Sequence, residues 1–317
     1  MGAVWPALER TIGLLLLAFT GTAAVFFVMH AAPGDPALAV LGDQATPEAV
    51  AAFRQRWNLD APLLKQFWWW FSKAVSGDFG LSLSLATGVP VRELLFARIP
   101  QTAFIGVYAI VIAVGVSLVA GTISAVRHGR LADTISTSLA AIGISMPDFW
   151  IAYVLIYTLA LGTGWFPAYG YVAPAVSITG ALHSGFLPAL AIAAPMSAVF
   201  TRILRTSLLE NLYKDHALVA RSLGHRPRFI FVHHVLRNAL IPYITVIGLQ
   251  VRYLLGGTVV IERIFGIPGV GNLMVDGALG RDFPVVQACT VVFLLGVLLT
   301  NFVVDFVCGA LNPRTRA

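Results

Sequence analysis

Charge is scarce in this chain: Asp, Glu, Lys and Arg make up 11% of its residues, against about 25% in soluble domains. Together with 58% hydrophobic residues and a mean hydropathy of +0.82, that shortage excludes a soluble globular protein. Lysine is scarcer still. Lys65, Lys73 and Lys214 follow Leu64, Ser72 and Tyr213, so no lysine follows a glycine and no Walker A phosphate loop is present. H-E-x-x-H and G-x-S-x-G are also missing, which argues against an enzyme. The two cysteines, Cys289 and Cys308, share the last apolar run without metal-ligand spacing and read as small buried hydrophobes. Acid is outweighed by base, with a net charge of +6. The basic residues lie between apolar runs, as membrane topology requires, rather than in a stripe for nucleic acid.

A bilayer core of ~30 Å needs ~20 apolar helical residues. Six runs reach that length: Leu8–Met29, Thr102–Val126, Thr134–Leu161, Leu187–Leu204, Ala239–Ile261 and Val285–Cys308. The first reads as a retained anchor, its apolar stretch being too long for a signal peptide. The expected fold is an all-α integral membrane protein of six transmembrane helices. Arg127, Arg130, Arg202, Arg205 and the 209–238 segment put positive charge beside one set of span ends, which favours both termini inside. The domain division expected is 1–30 (tail and first helix), 31–98 (an extracytoplasmic helical loop) and 99–317 (a five-helix core with a cytoplasmic loop over 206–238).

Within 31–98, Pro33-Gly34-Asp35-Pro36 predicts a turn that stops the first span. Thr46-Pro47-Glu48 predicts a cap, an N1 proline and a first-turn acid, opening a helix to about Trp57. A second helix near Pro62 carries Leu63, Leu64, Phe67, Trp68 and Phe71 at helical spacing, suited either to the headgroup level or to the core of a small external subdomain.

The third run contains Ser145-Met146-Pro147-Asp148-Phe149-Trp150. Proline opens the helical ladder there, and Gly143 eases a kink. Asp148 either faces a polar cavity or moves to the interface as a cap. In the fifth run, Gln250 and Arg252 either line a wet path or, for Arg252, snorkel to the surface. The Gly- and Pro-rich stretch from Glu262 to Pro284, with Phe265 and Asp282, suits a re-entrant or external gating element.

The most charged segment is Leu209–Pro242. Asp215 to Gly224 predicts a helix with a favourable first-turn acid and a left-handed glycine cap. Ala220 and Leu223 offer a small apolar face. Arg226-Pro227-Arg228 starts a second helix in which Phe229, Ile230, Val232 and Val235 can bury. Such a knob suits a groove on a partner; an ordinary interfacial loop is the other reading. His233 and His234 are adjacent and make a poor metal pair.

Ala220–Gly224 (A-R-x-x-G) followed by His234–Pro242 (H-x-L-R-N-A-L-I-P) resembles the ATPase-docking loop of ABC importer permeases of the peptide and nickel branch. So do P-G-D-P at Pro33–Pro36, G-D-F-G-x-S at Gly77–Ser82, S-M-P-D-F-W at Ser145–Trp150 and P-G-V-G at Pro268–Gly271. R-D-F-P-V-V-Q at Arg281–Gln287 and N-P-R at Asn312–Arg314 complete the likeness. The general loop has Glu-Ala-Ala where this chain has Leu218, Val219 and Ala220.

The resemblance implies a type I importer permease of the bacterial cytoplasmic (inner) membrane. It would pair with a second homologous permease, two ATP-binding-cassette subunits and an extracytoplasmic binding protein. No cofactor is expected in this chain, ATP and Mg being held by the ATPases. Glu210, Asp215, Ala220, Arg221, Gly224, His234, Leu236, Arg237, Asn238 and Pro242 would couple to the ATPase. Ser145, Asp148, Phe149, Trp150, Gln250 and Arg252 would line the path, and Glu262, Phe265 and Asp282 an outer gate. No metal site is expected. Peptide is the first substrate expectation and nickel or a metal chelate the second. An ion-coupled secondary transporter would need two similar halves with paired broken helices, and no such symmetry is visible.

Overall fold

A computed structural model of the protein describes residues 4–31 and 35–311. The Pro33–Gly34 turn, the Asn312–Arg314 motif and the side chains of Arg252 and Cys308 lie outside the described residues. Helices dominate: α1 (Val4–Ala31), α2 (Pro36–Leu41), α3 (Pro47–Arg56), α4 (Leu63–Val75), α5 (Val91–Val126), α6 (Leu131–Ser145), α7 (Asp148–Leu155), α8 (Ile178–Leu212), α9 (Asp215–Ser222), α10 (Pro227–Ile230), α11 (Arg237–Phe265), α12 (Val270–Leu279) and α13 (Phe283–Leu311). Among the described residues, four helices are long and apolar enough to cross a membrane, or up to six crossings if each of two bent pairs counts as one. Leu15–Ala31 of α1 adds a shorter apolar helix.

By internal contacts the chain divides into two units. One joins the residues up to Thr102 with Pro268–Leu298; the other joins Ala103–Ile267 with the residues from Leu299 on. In the first, Thr46 caps α3 by accepting from the Ala49 amide, and Pro47 sits at N1, as read from the sequence. Asp35 caps α2 through the Ala37 amide and pairs with Arg54 of α3. The aromatic run of α4 serves two surfaces. Phe67 is buried against Phe19 and Phe26 of α1, whereas Trp68 and Trp69 face outward. A second cluster unites Val91 and Leu95 with Val270, Leu273, Val285 and Cys289, so Cys289 is the buried apolar group expected of it.

The second unit is built on α8, whose buried face is rich in small residues: Ala189, Ala191, Ala193 and Ala198 lie beside Phe200 and Leu204. Small side chains let helix backbones approach closely where lipid supplies no hydrophobic drive. Gly143 of α6 does this rather than easing a kink: a Cβ there would stand 2.9 Å from that of Ala198. Both α5 and α8 extend beyond their expected spans, starting at Val91 and Ile178 and carrying prolines through their interiors.

The third span is not one kinked helix. α6 and α7 meet at 107°. Pro147 has no amide hydrogen and disfavours the helical region for its predecessor, so Met146 is extended (φ −93°, ψ 129°) and α7 restarts at Asp148. π-helical turns over Ile156–Gly162 follow.

α11 ends at Gly266, left-handed at φ 66°. The Gly170 amide donates to the Phe265 carbonyl at 3.0 Å, and the Tyr169 ring lies against Gly266, filling the space a Cβ would take. Gly266→Ala therefore meets both a left-handed penalty of about 1–2 kcal/mol and a ring collision. It is expected to lower the thermal unfolding midpoint in detergent; an unchanged midpoint would contradict this packing.

Candidate translocation path and docking loop

The break between α6 and α7 opens a cavity of about 460 Å³ faced by α8 and α11. Ser145, Asp148 and Gln250, expected along the path, come together in its lining. Phe149 and Trp150 do not: they are exposed and outside it. Met146, Pro195, Met196 and Tyr253 also line the cavity and were missed. The prolines inside α8 were a usable signal for Pro195 and Met196. Asp148 Oδ1 accepts from the Phe149 amide at 2.8 Å. Its Oδ2 lies beside Gly257, 3.1 Å from where a Cβ would be.

The segment after α8 folds as helix, glycine turn and helix. Asp215 opens α9 and Gly224 takes φ 76°, the left-handed conformation read from the sequence. The His225 amide then donates to the Ala220 carbonyl at 3.2 Å, closing the cap. The expected apolar face needs correction. Ala217 and Ala220 point into the core, while Leu218, Val219 and Leu223 are exposed. The α9 register explains this: residues 217 and 220 are one turn apart, on the face turned toward the core. In the second helix Ile230 and Val235 bury as expected, but Phe229 and Val232 stay exposed. Phe229 stacks between His225 and His233, at centroid distances of 5.0 and 4.3 Å. Glu210, Asp215, Arg221, Arg237, Asn238 and Pro242 are exposed, and His234 and Leu236 half-buried. The chain runs through π-helical Phe231–Leu236 into α11 without a break, and Pro242 sits inside α11.

Directly before this segment lies an ion pair that sequence reasoning missed. Asp133 at the start of α6 is buried, and its two oxygens accept from Arg205 of α8, Nε at 2.7 Å and Nη2 at 2.9 Å. Ser124 at 2.5 Å and the Gly129 amide at 2.9 Å add to the carboxylate's partners, and His128 Nδ1 lies 2.9 Å from it. Arg205, which in the sequence only added to the inside charge, thus ties the α5–α6 turn to α8. The pairing spans 72 positions, so no local pattern announces it.

Glu262, Phe265 and Asp282, expected at an outer gate, are all buried. Asp282 Oδ2 accepts from the Ser82 hydroxyl at 2.5 Å and from the amides of Leu83, Ser84 and Leu85 at 3.0, 2.9 and 3.1 Å. It pins the 82–85 loop to the turn before α13. Among the described residues no group of three or more His, Cys, Asp or Glu is placed to hold a metal ion.

This architecture is that of a type I ABC importer permease. A crystal structure of an amino acid ABC transporter with histidines shares the fold, with a TM-score of 0.54 and 15% identity over 68% of this chain and 92% of that one. Residues 117–317 match the family described as binding-protein-dependent transport system inner membrane component, and residues 6–105 match its N-terminal membrane-component family. The chain belongs to that family. It is 37% identical over 309 residues, 98% of each chain, to the glutathione transport system permease protein GsiC of Escherichia coli (strain K12) and to the GsiC of Shigella dysenteriae serotype 1. It is accordingly an inner-membrane permease component that works with a binding protein and ATPase subunits.

Removing one member of a buried pair leaves an uncompensated charge and costs roughly 3–5 kcal/mol. Arg205→Ala is expected to lower the unfolding midpoint strongly. Arg205→Lys should recover only part of the loss, because the fork that grips both oxygens is gone. Equal stability of all three proteins would refute the pairing.

Proposed function

We propose that this chain forms half of the translocation path of an importer for short peptides, from dipeptides to glutathione-like and longer ones. The near full-length likeness to a glutathione transport permease carries this reading. Glutathione is itself a tripeptide, and the cavity at the α6–α7 break mixes a carboxylate, an amide and a hydroxyl with apolar walls, a lining suited to a polar, partly apolar solute. A second, distinct permease supplies the other half.

Coupling runs through the 209–238 loop. ATP-driven closure of the two ATPase subunits pushes the docked loops together and rocks the spans, and the binding protein releases its cargo into the opened path. This demands a loop that transmits force as one body. The buried Ala217, Ala220, Ile230 and Val235 anchor it to the core, leaving Leu218, Val219, Leu223 and the arginines for the ATPase. ATP and Mg bind to those partners.

Reconstitution of the full complex in proteoliposomes tests the reading. Uptake of labelled glutathione and dipeptides that needs both ATP and the binding protein is expected; uptake of nickel alone, or uptake surviving ATP removal, would overturn it. Gly224→Val places a β-branched residue at φ 76°, a strained position for it. It is expected to leave ATP hydrolysis running while uptake falls severalfold. Normal coupling in this variant would refute the docking-knob role.

A further inference from the structure

We infer that Asp148 is the counter-ion for the free ammonium group of the peptide cargo, so that the path itself discriminates free from blocked amino termini. The inference rests on the peptide reading above and adds a chemical contact to it.

Among the described residues, Asp148 is the only charged one lining the cavity. Its Oδ1 is occupied by the Phe149 amide, and among the described residues Oδ2 takes no hydrogen bond. The carboxylate stands at the first turn of α7, where the helix restarts after Pro147 and the dipole favours a negative charge. Glycine at 257 keeps it there: the nearest non-local atom to a Cβ at that position would be Asp148 Oδ2 at 3.1 Å. A side chain at 257 would crowd the carboxylate from the α11 side.

An ionised carboxylate among Met146, Pro195, Met196 and Val199 is costly unless a cation or several donors meet it. The remaining polar groups of the lining, on Ser145, Gln250 and Tyr253, are neutral. An ammonium brings three donors and a full positive charge, the complement the site lacks. A peptide's carboxylate end finds no cation among the described residues of this lining. Asp133 provides the contrast, since both of its oxygens receive donors from the protein itself. Asp148 has room for a transient ligand.

The test uses the assembled permease–ATPase complex in nanodiscs without binding protein. Glutathione and N-acetylglutathione are titrated separately and contact is read by saturation-transfer NMR. The wild type is expected to bind glutathione on the order of tenfold more tightly than its N-acetyl form, as loss of a charge-assisted contact implies. Asp148→Asn should erase that preference, and Asp148→Glu should retain most of it. Equal affinity for the two compounds in the wild type, no contact with either, or a preference that survives Asp148→Asn would overturn the inference. ATP-driven glutathione uptake by complete proteoliposomes separates the two levels. No uptake by the wild type defeats the peptide reading, whereas normal uptake without amino-terminal preference defeats only the role of Asp148.

Discussion

Backbone amides in hydrocarbon must find partners within the protein, and each one that fails costs several kcal/mol. Helix is therefore the default wherever this chain meets lipid, and any departure has to be sheltered. The departure that matters is at Met146–Pro147, where two helices meet at 107°. α8 and α11 wall the cavity at that break. Close approach makes the shelter possible: Gly143 meets Ala198, and Gly106 and Gly257 leave room for Leu254 and for Asp148. The cavity, the polar groups in it and the restart of α7 all follow from one proline and the small residues around it.

Three buried or half-buried aspartates show how the same side chain is put to different ends. Asp133 is saturated by an arginine fork, a hydroxyl and an amide, and it holds a turn to a helix. Asp282 accepts three successive amides and a hydroxyl on one oxygen, and it holds a loop. Both positions are chosen for stability, since a carboxylate with several charge-assisted bonds is worth burying. Asp148 has one amide neighbour and opens on a cavity. The difference lies in where the remaining hydrogen-bonding capacity sits: the second oxygen of Asp282 is sealed in the protein, whereas Asp148 borders the cavity, which is the basis of the cargo contact proposed for it.

Much of this was legible in the chain. The apolar runs are long, and Thr46-Pro47 and Gly224 act through local backbone geometry that their own chemistry dictates, so the α3 cap and the left-handed turn were readable. The buried side of α9 was not. Whether Ala220 or Leu218 faces out depends on what α9 packs against, and Leu218 lies exposed because the core takes the small residues. The sharpness of the α6–α7 bend was hidden for a similar reason: proline predicts an opening, but its angle is set by the neighbours. The Asp133–Arg205 and Asp282–Ser82 pairings join residues 72 and 200 positions apart, and nothing in either local sequence points to the other.

The central claim is that this permease works as one part of an assembly, passing force from ATPases to spans through the 209–238 loop. The most direct measurement is affinity purification of the chain in mild detergent from cells expressing its whole gene cluster, with subunit masses and stoichiometry determined by native mass spectrometry. The account predicts one copy of this chain, one copy of a second, homologous permease and two ATPase polypeptides. A chain that purifies alone, with uptake persisting after ATP depletion, would contradict it.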